Sequence, residues 1–127
     1  MVRTLTHAGL RGQTAHARGL WAEQAACDAL ERDGWTVLGR RVRTPAGEID
    51  IAATREGLLA LIEVKARPSL GDAAAALGLR QRTRLIAAAE LILAANPGWG
   101  AAGVRFDVML VDAAGQVRRV ADAFRIE

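Results

Sequence analysis

The stretch GEIDIAATREGLLALIEVKAR, residues 47–67, decides the fold. Two β-forming runs, Glu48–Ala53 and Leu58–Val64, flank the turn-prone Thr54-Arg55-Glu56-Gly57, so the segment reads as a hairpin. With the turn centred between Glu56 and Gly57, antiparallel pairing sets Asp50 opposite Glu63, with their Cα atoms about 4.5–5.5 Å apart. Facing carboxylates repel unless a proton or a divalent cation lies between them. The two-residue period also turns Lys65 to the same face as Glu63, so Asp50, Glu63 and Lys65 converge. Such a set suits phosphodiester cleavage: the carboxylates hold Mg²⁺ (or Mn²⁺), the metal polarises phosphate and acidifies water, and the ammonium positions the nucleophile or steadies developing charge. A merely solvated surface hairpin has the same residues. Glu56-Gly57 is also not the favoured Asn-Gly or Asp-Gly turn, which leaves the register open by one residue.

Upstream of the hairpin, Ala22, Ala25, Ala26, Ala29 and Leu30 mark one face of a helix over 20–32, and Gly34 is placed to end it. Residues 35–42 read as a strand closed by the turn Thr44-Pro45-Ala46-Gly47. Downstream, after Pro68 and Gly71, a long helix runs to Ala95 with Leu85, Ala89, Ile92 and Leu93 on one face, stopped by Asn96-Pro97-Gly98. Strands over 105–111 and 116–122 complete an αβββαββ order, an α/β fold. Gln81 lies four residues before Leu85, hence on the sheet-facing side of the long helix, where an amide needs a partner such as a catalytic side chain. Arg80, Arg82 and Arg84 present charge along neighbouring faces, suited to backbone phosphates or simply to solvent. Arg105 and Asp107 share one side of their strand and are expected to form a buried ion pair that supports the fold.

A chain of 127 residues with 51% apolar and 24% charged residues is expected to form one domain, residues 19–127, behind a flexible basic N-terminal arm, residues 1–18, that carries no acid. The longest apolar runs fall far short of a bilayer span, so no membrane segment is expected. A lone Cys27 excludes an internal disulfide and a cysteine zinc site, which points to a cytoplasmic location. Neither GxxxxGK nor GxGxxG occurs, which excludes the usual nucleotide-dependent classes. Of 17 basic residues, 16 are arginine, and Lys65 is the single lysine; a lysine retained in such a background suits a chemical step that a guanidinium cannot perform. The net charge of +3 suits a polyanionic partner.

Gly47-Glu48-Ile49-Asp50 followed by Ile62-Glu63-Val64-Lys65-Ala66-Arg67 resembles the PD-(D/E)xK nuclease motif. From Gly19 onward the chain is similar to the YraN family of small bacterial proteins. The shared residues include Gly19, Glu23, Ala26 and Leu30 in the first helix, Gly34-Trp35, Arg80-Gln81 with Leu85, Arg105-Phe106-Asp107-Val108 and Asp122-Ala123-Phe124. The resemblance implies a restriction-endonuclease-like core, a mixed central sheet flanked by helices, similar to Holliday-junction resolvases. It implies that Asp50 and Glu63 bind metal with the Val64 carbonyl, that Lys65 assists the attacking water, and that Glu23 is an accessory acid. It adds Arg67 to the candidate phosphate contacts. The implied substrate is DNA, structured or branched, with RNA not excluded; a homodimer would allow symmetric cutting of two strands. The alternative is a non-catalytic nucleic-acid-binding module or a subunit of a DNA-processing complex. No proline precedes Asp50, and Ala22 stands where the pattern often has glycine; neither departure removes a chemical group.

Overall fold

In a computed structural model that describes residues 15–67 and 79–124, seven elements follow one another along the chain. They are α1 (Ala15–Arg32), β1 (Thr36–Thr44), β2 (Gly47–Arg55), β3 (Leu58–Ala66), α2 (Leu79–Ala95), β4 (Gly103–Val111) and β5 (Val117–Phe124). The helix-strand-strand-strand-helix-strand-strand order is the one the periodicities predict. The strand ends shift by one or two residues, and α1 begins at Ala15, so the last four residues expected in the basic arm are helical. Residues 1–14 of that arm lie outside the described residues.

The five strands form one mixed sheet in the order β1-β2-β3-β4-β5. Every neighbouring pair is antiparallel except β3 with β4, which are parallel because α2 carries the chain back between them. The central β3 is buried from Leu59 through Glu63, the near-continuous apolar run expected of a strand covered on both faces. Its side chains alternate. Ala60 and Ile62 pack with Ala26 and Leu30 of α1, whereas Leu59 and Leu61 pack with Leu85, Ala88, Ala89 and Ile92 of α2. Each helix thus fills one face through positions three and four apart, and each is held by burial rather than by propensity.

Two turns set the registers. Glu56 and Gly57 both adopt positive φ, 53° and 81°, the mirror-image turn whose twist matches that of the flanking strands, with Glu56 in a conformation that asparagine or glycine ordinarily fills. The turn pairs Arg55 with Leu58 and Ile51 with Ile62. Between β1 and β2, Thr44 Oγ1 accepts hydrogen bonds from the Ala46 and Gly47 amides, both at 3.1 Å, and donates to the Gly47 carbonyl at 2.7 Å. This turn aligns Thr44 with Gly47 and Val42 with Ile49.

Candidate active site

The site lies where the β2–β3 ladder opens. Regular pairing runs from Arg55↔Leu58 to Ile51↔Ile62, and Asp50 and Glu63 come at the next position, as the turn arithmetic predicts. There the Val64 amide donates to Asp50 Oδ2 at 2.8 Å. A side-chain carboxylate therefore takes up a backbone donor at the point where two strands diverge. Strand geometry turns the N–H and C=O of one residue toward the same neighbour, so the Val64 carbonyl also faces the Asp50 side.

Glu63 is buried, and its Oε2 is the focus of the cluster. Gln81 of α2 donates its amide to that oxygen, and Lys65 Nζ lies 3.6 Å from it. The sheet-facing position of Gln81 thus gives its amide an ionisable partner. The Asp50 carboxyl is pushed up to about 7, first by burial and then by its hydrogen bond to Glu63 and the charge of that neighbour; the Val64 amide and the Lys65 ammonium pull against the rise. At neutral pH Asp50 is consequently poised between its protonated and ionised forms. Two carboxylates with an adjacent backbone carbonyl form a hard oxygen donor set, which suits Mg²⁺ when water and substrate phosphate complete the shell. Among the described residues, no three of His, Cys, Asp and Glu gather as a metal-binding group.

Glu23 is buried on α1, but its carboxylate does not join Asp50 and Glu63. It is engaged by Arg41 Nε at 3.1 Å and approached by Arg40 Nη2 at 4.0 Å. Arg41 falls opposite Asp50 in the β1–β2 register, between Arg40↔Ile51 and Val42↔Ile49. It sits within a strand at φ 52°, a left-handed conformation that branched and long side chains seldom adopt. Its hydrogen bond to Glu23, together with the charges of Glu23, Glu48 and Asp50, raises its already high pKa. Arg41 therefore links the helix acid to the strand that carries Asp50. Sequence reading missed this residue, although extending the pairing arithmetic across the Pro45-Ala46 turn places it opposite Asp50.

The other candidates scatter around this centre. Arg84 is exposed and lays its stem against Gly47, so closely that a Cβ there would stand 2.9 Å from Arg84 Cγ. Arg82 is exposed on the same helix, and the side chain of Arg80 lies outside the described residues. Arg67 donates to the carbonyl of its neighbour Ala66, and its amide pairs with the Val111 carbonyl at 2.9 Å. Asp107 forms the expected ion pair, taking two bonds from Arg105 at 2.9 and 3.0 Å. Cys27 is buried with its thiol pushed up by that burial, a packing role rather than a nucleophilic one. No described helix is long and apolar enough to cross a membrane.

Comparison with known proteins finds that the model of the "Uncharacterised protein family UPF0102" matches residues 22–111. A UPF0102 protein of Granulibacter bethesdensis is 63% identical over 118 residues, covering 93% of this chain and 75% of the relative. A UPF0102 protein of Azorhizobium caulinodans is 48% identical over 122 residues, covering 96% and 93%. One from Rhodopseudomonas palustris is 46% identical over 97 residues, covering 76% and 75%.

Proposed function

Since the chain belongs to the UPF0102 family, the YraN family its motifs resemble, we propose that it is a metal-dependent endonuclease that hydrolyses phosphodiester bonds of structured or branched DNA. The observation that carries this reading is the facing pair Asp50 and Glu63, with Asp50 pushed up to about 7 beside the lone lysine. A purely structural role has no need of two partly buried acids in repulsion.

In this reading Asp50 and Glu63, with the Val64 carbonyl, would hold Mg²⁺ or Mn²⁺, which supplies polarisation of the phosphate and acidification of water. Gln81 fixes Glu63 in one rotamer by its hydrogen bond. Lys65, held near Glu63, orients the attacking water and steadies negative charge as the water oxygen bonds to phosphorus and one phosphorus–oxygen ester bond breaks. Glu23 acts through Arg41 as a positioning group rather than as a third metal ligand. Arg67, Arg80, Arg82 and Arg84 supply phosphate contacts around the centre. The protein works in the cytoplasm on DNA, as a homodimer where two strands are cut.

A second reading, a nucleic-acid-binding module or complex subunit that does not cleave, is favoured by one feature: Glu63 Oε2 already has both Gln81 and Lys65 as partners. Cleavage of labelled four-way junction, flap, nicked and linear duplex DNA in Mg²⁺ or Mn²⁺ separates the two, with binding measured in Ca²⁺. The nuclease reading expects cutting that falls at least a hundredfold in both Asp50→Asn and Lys65→Ala while binding survives. Binding without cutting, or residual cutting equal in the variants, rejects it in favour of the binding module.

A further inference from the structure

We propose that Trp35, Arg55, Arg105 and Arg119 form a second site, for a phosphate group, on the α1 side of the sheet. This goes beyond the nuclease reading and does not depend on it. Trp35 belongs to the apolar cluster with Ala60, Ile62 and Met109 under α1. By the two-residue period of β4, Arg105 and Asp107 share the face of Met109, whereas Glu63 and Lys65 share that of Leu59 and Leu61 under α2. The two sites therefore occupy opposite faces.

Three guanidinium carbons crowd one indole: Arg55 Cζ at 4.9 Å from the ring centroid, and Arg105 and Arg119 Cζ each at 5.3 Å. Cation–π attraction accounts for one or two such neighbours but not for the mutual repulsion of three. Asp107 pairs with Arg105 and lies 3.9 Å from Arg119 Nε. Arg55 donates instead to the Asp33 backbone carbonyl at 2.9 Å. Among the described residues, positive charge thus exceeds that of the carboxylate shared by the group.

Two buried donors at this place have no acceptor among the described residues: Trp35 Nε1 and Arg119 Nη1. Trp35 is only 3% exposed, and a buried donor without an acceptor is unfavourable in a native structure. The deficit is of acceptors and of negative charge together. A phosphate group supplies several acceptor oxygens and charge, and guanidinium forks match its geometry. Arg55, exposed and among the described residues hydrogen-bonded to the Asp33 carbonyl, is the side chain able to swing and admit the ligand. The ligand chemistry is that of free phosphate or of a phosphodiester in a nucleic-acid backbone.

The test follows the indole N–H resonances of the full chain in ¹H–¹⁵N spectra, with Trp35 identified by Trp35→Phe. Inorganic phosphate is titrated against sodium chloride of matched ionic strength, and then short duplex DNA. The expected result is a saturable shift of the Trp35 resonance with phosphate, with those of Trp21 and Trp99 unmoved, and an affinity about tenfold weaker in Arg55→Gln. An equal shift with chloride, no saturable shift, or full affinity in Arg55→Gln overturns the site. A response to DNA as well identifies the phosphodiester as the source, whereas a response to phosphate alone identifies a small-anion site. Cleavage is not the readout, so failure of the nuclease reading and failure of this site are separable.

Discussion

The two faces of the sheet hold buried acid in opposite circumstances. Under α1, Asp107 is fully buried and is gripped by both donors of the Arg105 fork with Arg119 nearby. Under α2, Asp50 and Glu63 face each other, and the nearest ammonium, Lys65, stands 3.6 Å from Glu63. The first arrangement pairs the acid with guanidinium groups of the chain. In the second, acid faces acid, and burial with the neighbouring Glu63 makes the Asp50 carboxyl hold its proton up to about pH 7. An acid flanked by guanidinium groups keeps its charge, whereas an acid that faces another acid in a partly buried place gives up charge by holding a proton.

The largest effect that would break this contrast is on stability. Asp107→Ala strands two guanidinium groups around a buried gap and is expected to lower the unfolding free energy by about 3–5 kcal/mol in urea denaturation. Asp50→Asn removes repulsion and is expected to leave stability unchanged or raise it. Equal losses in the two variants would erase the distinction between the faces.

Cation binding gives the next effect. At pH 8, where the Asp50–Glu63 pair has lost its extra proton, Mg²⁺ or Mn²⁺ is expected to raise the melting temperature, and EDTA to reverse the rise. At a hundred times the dissociation constant the gain is about 2.7 kcal/mol. Asp50→Asn should abolish it and Asp107→Asn should not. A shift of the same size in Asp50→Asn would place the cation elsewhere.

The smallest effect, per pH unit, sharpens the comparison in the metal-free protein. Asp50 rises from 3.8 unfolded to about 7 folded, so between those values the native state holds more of a proton than the unfolded state. Stability from this group is therefore fully present below pH 3.8 and is lost as pH rises through about 7. One proton sets a ceiling of about 1.4 kcal/mol per pH unit, and the partial exposure of Asp50 keeps the slope below it. Denaturation midpoints across pH 4–8 should fall in the native protein, and Asp50→Asn should flatten this part of the profile.

Much of the Asp50–Glu63 face was legible in the residues. The turn at Glu56-Gly57 sets a register that places Asp50 and Glu63 together, and helical spacing puts Gln81 toward the sheet, where it meets Glu63. Both follow from local periodicity, which depends only on backbone geometry. The pairing of Arg105 with Asp107 is of the same kind, since two positions on one strand share a face. The opening of the ladder at Asp50 and the left-handed Arg41 were not legible, because each depends on how strands diverge and twist against a third element. The capture of Glu23 by Arg41 joins residues 18 positions apart on different elements. The gathering of Arg55, Arg105 and Arg119 on Trp35 draws on β2, β4, β5 and the link between α1 and β1 at once.

By itself the sequence determined the order of elements and, to within one residue of hairpin register, the convergence of Asp50, Glu63 and Lys65, because these obey periods of two and 3.6 residues along one chain segment. Only the tertiary structure decided which acids are paired and which are left facing each other. Burial and the approach of charges from distant elements set that outcome, and neither is encoded in any local spacing.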